Sequence, residues 1–496
     1  MERQTISIAN RSSISVHGGA LVDGRFRPAR SGATFDTINP ATGQRLASIA
    51  ACDAGDVDEA VASARRAFED GRWSRRSPKD RKLVLQRFAD LLDAHAEELA
   101  LLETLEVGKP IRDTRSVDAP KAAYMIRWYA EAIDKQYGDV APTGPGSLAF
   151  TTREPLGVVA AIVPWNYPLY LAAYKLGPAL ATGNSVVLKP AEQSSLTTLR
   201  AAELAIEAGI PEGVFNVVTG TGEVTGRALG LHMDVDCIAF TGSPRVAKAF
   251  LRYAGESNMK KVQLEAGGKS PNIVLPDATD LDEIARQAAW GVFFNSGQVC
   301  SAGSRLLVHR DIHDELLAKI AAVAAGMKIG DPLDETTDIG ALVDQAHLDR
   351  VLGYIERGQA EGAVLVAGGE RTLVSSGGYF VQPTIFDRVS NDMSVAREEI
   401  FGPVLSAITF DNTEEAIQIA NDSDFGLGAA VWTSNIDTAL AVSSRLRAGL
   451  VWVNNYDAGD LTVPWGGFKQ SGTGRDKSLE ALNEYTGSKT VWIESR

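Results

Sequence analysis

The chain has 496 residues, of which 45% are hydrophobic and 23% charged, and its formal net charge is −14. That length exceeds the size at which one hydrophobic core keeps growing, so we expect two or three sub-domains. The acidic balance argues against a nucleic-acid partner, because a phosphate backbone would be repelled by such a surface.

The N-terminal segment MERQTISIANRSSISVHGG lacks the apolar stretch of a secretory leader, and the longest apolar run, 157–163, is too short to span a bilayer. We therefore expect a cytoplasmic protein with no membrane partner. The three cysteines form neither a disulfide framework nor a metal motif, so one of them is free for chemistry. His309 and His313 have helical spacing but lack a third ligand, so no metal site is predicted.

The first third of the chain shows two amphipathic helical patterns. One begins at Asp56, and the second has Ser77 as its predicted N-cap, Pro78 in its first turn and Asp80 near the positive end of the helix dipole. The run 108–110, Gly-Lys-Pro, ends the segment that comes after the second helical pattern. Residues 136–155 are polar and turn-rich, which is typical of a segment that projects from the main body of a protein.

From Gly157 onward, short apolar runs alternate with amphipathic helices, in the order GVVAAIV, SVVLK, VFNVV, CIAF and VQLE. This alternation indicates a parallel sheet with helices on both faces, a doubly wound architecture that binds ligands beyond the carboxyl ends of its strands. After Lys269 the pattern restarts with PNIVL and a helix over 280–294, which predicts a second α/β unit. The C-terminal KTVWIE alternates like a strand that needs a partner, and pairing in an oligomer is one solution.

Three polar residues occupy positions suited to chemistry. Cys300 lies among small residues and glycines that let a ligand approach the backbone, and it is either a nucleophile or a buried structural thiol. Glu265 ends a predicted central strand, where it is either an acid or base or a capping or ion-paired carboxylate. Asn166 in PWNYP offers an amide donor suited to an oxyanion, although turns also favour Asn.

Other segments carry signals of nucleotide binding. Gly222 belongs to a GxGxxxG run, which is a weak motif alone. Gly242 and Ser243 begin a predicted helix whose free N–H groups can meet a phosphate. Lys189 and Glu192 stand at another strand end. A carboxylate there accepts hydrogen bonds from ribose hydroxyls and repels a 2′-phosphate, which favours NAD over NADP.

Together these segments resemble the aldehyde dehydrogenase superfamily from about residue 20 to the C-terminus, through the ordered strings PWNYP, KLGPALATGNSVVLKPAEQS, FTGS, LEAGGKSPNIV, GQVCSAGSR, EEIFGPV, NDSDFGLGAAVW and PWGGFKQSGTGRD. The resemblance implies an α/β fold with a doubly wound parallel-sheet NAD-binding domain (1–135 and 156–265), a second α/β catalytic domain (266–475) and a small β oligomerisation arm (136–155 and 476–496). It also implies a homodimer or homotetramer.

The resemblance further implies NAD-dependent oxidation of an aldehyde to its acid. Cys300 would form a thiohemiacetal whose oxyanion is held by the Asn166 amide and the Cys300 backbone N–H, and Glu265 would activate the water that hydrolyses the resulting thioester. Lys175 and Asp476 correspond to a proton-relay pair, in which the family usually has Glu at the second position. The implied cofactor contacts are Pro164, Trp165, Lys189, Glu192, Gly222, Gly242, Ser243, Glu399 and Phe401.

Within the superfamily, residues 452–482 resemble bacterial dehydrogenases for γ-glutamyl-γ-aminobutyraldehyde and 4-guanidinobutyraldehyde, from polyamine (putrescine) and arginine breakdown. By that resemblance Asp118, Asp457 and Asp460 border the substrate channel, where they either attract a cationic tail or are merely solvated. Lys121 can instead meet a substrate carboxylate, and a γ-glutamyl tail carries both charges. The aromatic channel walls are Tyr167, Tyr174, Phe294, Tyr456 and Trp465.

Three other functions compete with this interpretation. One is a dehydrogenase for betaine aldehyde, succinic semialdehyde or a broad range of aliphatic aldehydes. A CoA-acylating enzyme is another, but such relatives generally lack the glutamate base that Glu265 supplies. The third is a catalytically silent scaffold on the same fold, against which Cys300, Glu265 and Asn166 all argue.

Overall fold

The computed structural model describes residues 3–8 and 13–495. Six strands open the chain, and the sequence patterns did not predict them. Four of the six have only three residues, too few to show periodicity. The six strands are β1 (Gln4–Ile6), β2 (Ile14–Val16), β3 (Ala20–Val22), β4 (Arg25–Arg27), β5 (Thr34–Asn39) and β6 (Gln44–Ala50).

Helices follow, and the two predicted amphipathic patterns are α1 and α2. Ser77 caps α2 as predicted, since its hydroxyl accepts a hydrogen bond from the Asp80 backbone N–H at 3.2 Å. Helix α3 ends at Gly108, whose φ of 76° is left-handed, which explains the predicted stop. The helices are α1 (Ala54–Glu69), α2 (Pro78–Ala94), α3 (Ala96–Val107), α4 (Ile111–Asp113) and α5 (Ala119–Ala132), with a π-helical turn at Thr114–Asp118.

The first large sheet has the predicted doubly wound core. After β7 (Val140–Ala141) and β8 (Ser147–Pro155), the chain forms β9 (Val158–Ile162), α6 (Pro168–Ala181), β10 (Ser185–Lys189), α7 (Leu196–Glu207), β11 (Phe215–Val217), α8 (Arg227–Leu231), β12 (Cys237–Gly242), α9 (Pro244–Glu256) and β13 (Lys261–Ala266). The strand order is β13-β12-β9-β10-β11-β3-β4, parallel except for the last two strands. The parallel strands therefore share one carboxyl edge.

A second α/β unit follows, as predicted. Its sheet has seven strands in the order β16-β19-β20-β15-β14-β22-β23, and β16 is the antiparallel strand. Its elements are β14 (Pro271–Val274), α10 (Leu281–Phe293), β15 (Arg305–His309), α11 (Arg310–Gly326), α12 (Gln345–Ala360), β16 (Val364–Ala367), β17 (Arg371–Thr372), β18 (Phe380–Val381), β19 (Thr384–Asp387), α13 (Ser394–Arg397), β20 (Val404–Phe410), α14 (Thr413–Asn421), β21 (Phe425–Gly426), β22 (Gly428–Trp432), α15 (Ile436–Arg445), β23 (Leu450–Val453) and β24 (Phe468–Lys469).

The C-terminal strand finds its partner in the same chain. After α16 (Glu480–Glu484), β25 (Thr486–Glu494) pairs antiparallel with β8 along its whole length, and β7 lies on the far side of β8. Segment 136–155 and the C-terminal strand thus form one small sheet, which leaves an edge of β25 unpaired among the described residues. The domain boundaries themselves stay a prediction.

Candidate active site

Cys300 lies where two cavities meet. All three cysteines are free, and Cys52 and Cys237 are buried whereas Cys300 is partly exposed. Burial raises the pKa of Cys52 to about 11, raises that of Cys237 to about 12 and raises that of Cys300 as well, so acidity does not single out one thiol. Position does, because Cys300 borders both a cavity of about 530 Å³ and another of about 290 Å³.

The larger cavity collects most of the predicted cofactor residues. The ring of Trp165 lies edge-on to that of Phe401, with centroids 5.3 Å apart. Ser243 caps helix α9, so the first N–H groups of that helix open beside the cavity. The predicted residues on its wall are Pro164, Trp165, Asn166, Gly242, Ser243, Glu399 and Phe401.

Glu399 is held against the backbone that directly follows β13 of the first sheet. Its Oε1 accepts a hydrogen bond from the Gly268 N–H at 3.1 Å, and burial raises its pKa to about 7. A Cβ at position 267 would lie 1.9 Å from Glu399 Oε2, so only glycine permits this approach. The arrangement leaves the second carboxylate oxygen on the cavity wall, where it can accept a hydrogen bond from a ligand hydroxyl.

The residues predicted at the adenosine end form a separate cluster outside the wall of the larger cavity. Glu192 Oε1 accepts a hydrogen bond from the Gly222 N–H at 2.5 Å. Lys189 Nζ donates to the Pro190 carbonyl at 2.8 Å and lies 3.9 Å from Glu192 Oε2. The chain therefore offers hydrogen-bonding carboxylates at two places and a helix start on the wall of the larger cavity, groups that suit the two riboses and the pyrophosphate of a dinucleotide.

Asn166 is buried and fixed in orientation. Its side-chain Nδ2 donates to the Gln298 backbone carbonyl at 2.9 Å. The backbone carbonyl of Asn166 accepts a hydrogen bond from Asn295 Nδ2 at 3.1 Å. One amide N–H is thus used to hold the side chain. The second N–H has no acceptor among the described residues, which suits an oxyanion donor on the cavity wall.

Glu265 is a buried carboxylate without a hydrogen bond. It is the penultimate residue of β13 and only 3% exposed, and neither carboxylate oxygen has a partner within the described ranges. Burial raises its pKa well above the ordinary value, and the negative charge of Asp476 raises it further, whereas Lys175 lowers it. Such a carboxylate is ready to take up a proton.

Behind Glu265, Lys175 and Asp476 form a buried ion pair. The amine lies 2.9 Å from one Asp476 oxygen and 2.6 Å from the other, and Gln263 Nε2 donates to the same carboxylate at 2.9 Å. The shorter acid therefore reaches the lysine, despite the usual Glu at this position.

The smaller cavity has aromatic walls and charges of both signs. Asp457 Oδ1 accepts from the Ser301 hydroxyl at 3.2 Å, and packed protein around the carboxylate raises its pKa. Asp460 lies at the exposed rim, where hydrogen bonds from the Thr462 hydroxyl and the Thr462 N–H hold its pKa below the ordinary value. The predicted residues on this wall are Tyr167, Tyr174, Phe294, Asp457, Asp460 and Trp465.

The prediction that Asp118 borders this cavity is wrong. Asp118 is fully buried and its Oδ1 lies 2.5 Å from Lys109 Nζ, an amine that also lies 3.6 Å from the ring centre of Tyr167. The carboxylate is therefore neutralised behind Tyr167 and cannot attract a ligand. Its neighbours Val117 and Lys121 line the cavity instead.

Lys477 lines the cavity but was missed by sequence reasoning. Its side chain is 8% exposed and lies against Trp465. The sequence shows only a lysine in a polar run after Asp476, without a pattern that would mark it. Two mutual backbone hydrogen bonds of 2.7 Å between Trp465 and Asp476 bring it there.

The chain matches the aldehyde dehydrogenase family over residues 26–491, and it belongs to that family. It is 53% identical over 481 residues to the NADP/NAD-dependent aldehyde dehydrogenase PuuC of Escherichia coli, covering 97% of this chain and 96% of the relative. The structure of gamma-glutamyl-gamma-aminobutyraldehyde dehydrogenase from Burkholderia cenocepacia has a TM-score of 0.96 at 57% identity, over 97% and 98% of the two chains. AldA indole-3-acetaldehyde dehydrogenase of P. syringae, in complex with NAD+ and IAA, has the same score and identity, over 97% of each chain.

Family, fold and site agree on the reaction class. The enzyme is an NAD-dependent aldehyde dehydrogenase, as the sequence resemblance predicted. In the part of the chain that the structure covers, no helix is long and apolar enough to cross a bilayer. Nor do the described residues include a group of three or more His, Cys, Asp or Glu placed to hold a metal.

Glu192→Gln tests which group selects the cofactor. The amide keeps an acceptor for the Gly222 N–H but loses the charge that repels a 2′-phosphate, so we expect the ratio of kcat/KM with NADP to that with NAD to rise about tenfold. Absorbance of the reduced cofactor with propanal as substrate gives both constants. Glu207→Gln, an exposed change at the far end of α7, serves as the control; an unaltered ratio in Glu192→Gln would contradict the assignment.

Proposed function

We propose that Cys300 is the nucleophile of this dehydrogenase and that Asn166 and Glu265 act beside it. The observation that carries this is the position of Cys300 between the larger cavity, which collects most of the predicted cofactor residues, and the smaller cavity with its aromatic walls. Burial and the charges of Glu399, Glu265 and Asp457 raise the thiol pKa, so the resting sulfur keeps its proton. A base must remove it as the reaction starts.

We propose that Glu265 is this base, since its charge acts on the Cys300 thiol. It takes the thiol proton while the Sγ–C bond forms, and the aldehyde oxygen becomes an oxyanion that the Asn166 amide and the Cys300 backbone N–H stabilise. The chemistry that NAD supplies when bound is acceptance of a hydride, which turns the thiohemiacetal into a thioester. Glu265 then takes a proton from water, whose oxygen bonds to the thioester carbon. The carbon–sulfur bond breaks and the leaving sulfur takes the proton back from Glu265, so that the acid and the thiol are released.

Glu265 has to release the first proton before it can act on water. Lys175 and Asp476 lie on its inner side, and their charges act on its pKa in opposite directions. We assign this pair the role of exchanging that proton, because it joins an acid and a base in one buried contact.

For cofactor contacts, the residues that would hold NAD divide by position. Lys189, Glu192 and Gly222 would hold the adenosine ribose, Gly242 and Ser243 the pyrophosphate, and Glu399 and Phe401 the nicotinamide ribose, with Pro164 and Trp165 on the wall between.

The proposed substrate is an aldehyde with an ω-amino, guanidino or γ-glutamylamino tail, from polyamine or arginine breakdown. Asp457 supports a cationic tail, since its carboxylate faces a cavity with aromatic walls. The gamma-glutamyl-gamma-aminobutyraldehyde relative supports the same class. The indole-3-acetaldehyde relative, at equal identity, makes an uncharged aromatic aldehyde the second candidate, which Trp290, Phe294 and Trp465 would favour.

We also propose a homodimer or homotetramer in the cytoplasm. Strand β25 has an open edge among the described strands, and its Trp492 and Ile493 are 59% and 47% exposed. Apolar side chains on an unpaired edge strand favour association with a second copy.

Glu265→Gln removes the proposed base without changing the side-chain volume. We expect kcat to fall about 10²- to 10⁴-fold, because no group then accepts the protons of thiol and water. Stopped-flow absorbance and the mass of quenched enzyme measure turnover and any thioester that accumulates. Cys300→Ala should abolish both signals, and a Glu265→Gln enzyme with ordinary turnover would disprove the assignment.

Asp457→Asn tests the cationic tail. We expect KM for 3-aminopropanal to rise about tenfold, while KM for propanal changes less than twofold, because one charged contact contributes about 1.5 kcal/mol. Steady-state NADH absorbance provides the comparison. Asp460→Asn, at the exposed rim, is the matched variant and should have a smaller effect. Equal changes for both aldehydes would exclude charge recognition by Asp457.

Trp492→Lys combined with Ile493→Lys tests the association of β25. We expect the unaltered enzyme to have two or four times the chain mass of 52.9 kDa, and the double variant to be smaller. Light scattering after size-exclusion chromatography measures the mass. Met259→Lys changes an 87% exposed apolar residue elsewhere and should leave the mass unaltered. A monomeric unaltered enzyme would refute the proposal.

A further inference from the structure

Lys477 places a buried cation on the wall of the substrate cavity. Its Nζ lies 4.7 Å from the ring centre of Trp465 and 5.4 Å from that of Tyr174, and we call these two rings the aromatic wall. Within the described part of the chain, no hydrogen bond or ion pair reaches the amine. The amine therefore keeps its donors available to a ligand in the cavity.

The backbone holds Lys477 in this position. Asp476, the preceding residue, exchanges two hydrogen bonds of 2.7 Å with Trp465, and Lys477 and Ser478 have φ of 59° and 49°. Left-handed φ is uncommon for residues other than glycine and persists only where surrounding contacts enforce it. Asp457, on the facing loop, has a φ of 63°. Asp457 and Lys477, two of the four charged residues on the cavity wall, are thus both placed by an enforced backbone.

This arrangement has two consequences for a ligand. Aromatic faces attract quaternary ammonium groups, but here an internal ammonium already occupies them and repels a second cation. A poorly hydrated amine with free donors attracts a carboxylate instead. Asp457 remains for a substrate cation, so the cavity offers one fixed charge of each sign.

We propose that Lys477 is a specificity-determining residue that binds a substrate carboxylate and keeps quaternary ammonium groups off the aromatic wall. This inference rests on the proposed function and narrows the choice among the proposed substrate tails. Among the three proposed tails, the γ-glutamylamino tail carries both a carboxylate and an ammonium, and it matches Lys477 and Asp457 together. Bare ω-amino and guanidino tails match Asp457 alone.

Lys477→Met removes the charge and keeps an unbranched side chain. For each enzyme, kcat/KM is measured for 4-(γ-glutamylamino)butanal, 3-aminopropanal and betaine aldehyde, and each value is divided by that for propanal. We expect the γ-glutamylamino ratio to fall about tenfold and the betaine aldehyde ratio to rise by about the same factor. The 3-aminopropanal ratio should not fall.

Two variants separate charge recognition from a structural effect. Lys477→Arg keeps the cation and should retain the γ-glutamylamino preference. Lys121→Met removes the same charge from an exposed residue of the same cavity, whose Nζ lies 5.8 Å from the Tyr170 ring centre. This variant should not raise the betaine aldehyde ratio. Equal losses with every aldehyde in Lys477→Met, or unaltered ratios, would overturn the inference.

The unaltered enzyme provides a second test that requires no variant. Burial lowers the pKa of Lys477 to about 8, so the amine loses its charge above that pH. We expect the γ-glutamylamino ratio to fall between about pH 7 and pH 9, and a constant ratio would overturn the inference. The titratable groups that face Lys477 are Asp457, Asp460, Lys121, Tyr174, Cys300 and Asp476, and division by the propanal value cancels those acting on chemistry alone.

Failure of the inference is distinguishable from failure of the proposed function. If the cationic-tail proposal fails, Asp457→Asn treats 3-aminopropanal and propanal alike. If only the role of Lys477 fails, Asp457→Asn discriminates between them while Lys477→Met leaves all ratios unaltered.

Discussion

Segment 465–477 crosses the carboxyl end of β13 through backbone hydrogen bonds, and several parts of the site depend on that contact. Ala266 donates to the Ser471 carbonyl at 2.8 Å, and Thr473 donates to the Leu264 carbonyl at 3.0 Å. A Cβ at Gly472 would lie 2.2 Å from the Leu264 carbonyl oxygen, so glycine is required there. This crossing shields Glu265 from water and brings the Asp476 and Lys477 side chains to the two sides of the site.

Shielding has an energetic cost that suits the chemistry. A buried carboxylate without hydrogen bonds is less stable than a solvated one. Burial therefore favours the protonated form, raises the pKa and makes the carboxylate a stronger base. The Lys175–Asp476 pair behind Glu265 is buried too, but its charges are mutually satisfied. One carboxylate is therefore left without a partner while the neighbouring acid is paired with its lysine.

The presence or absence of an ion-pair partner also distinguishes Asp118 from Asp457. Asp118 and Asp457 both come from polar stretches of the sequence. Lys109 neutralises Asp118, whereas among the described residues Asp457 accepts only the Ser301 hydroxyl. Pairing therefore decides which carboxylate can meet a ligand. Because Lys109 also lies over the Tyr167 ring, the buried pair supports the wall instead of forming part of it.

The chain sequence alone determined the parallel strands, the helices between them and the capping of α2, because apolar periodicity and cap residues act locally. Ordered motifs determined the family, and hence which cysteine, glutamate and asparagine to follow. The tertiary structure decided what depends on how separate segments meet: the small N-terminal strands, the same-chain partner of β25, the burial of Asp118 and the placement of Lys477. Strand β25 meets β8 from the far end of the chain, and even the Lys109–Asp118 pair, 9 residues apart, depends on the turn between two helices, so apolar periodicity does not encode these contacts.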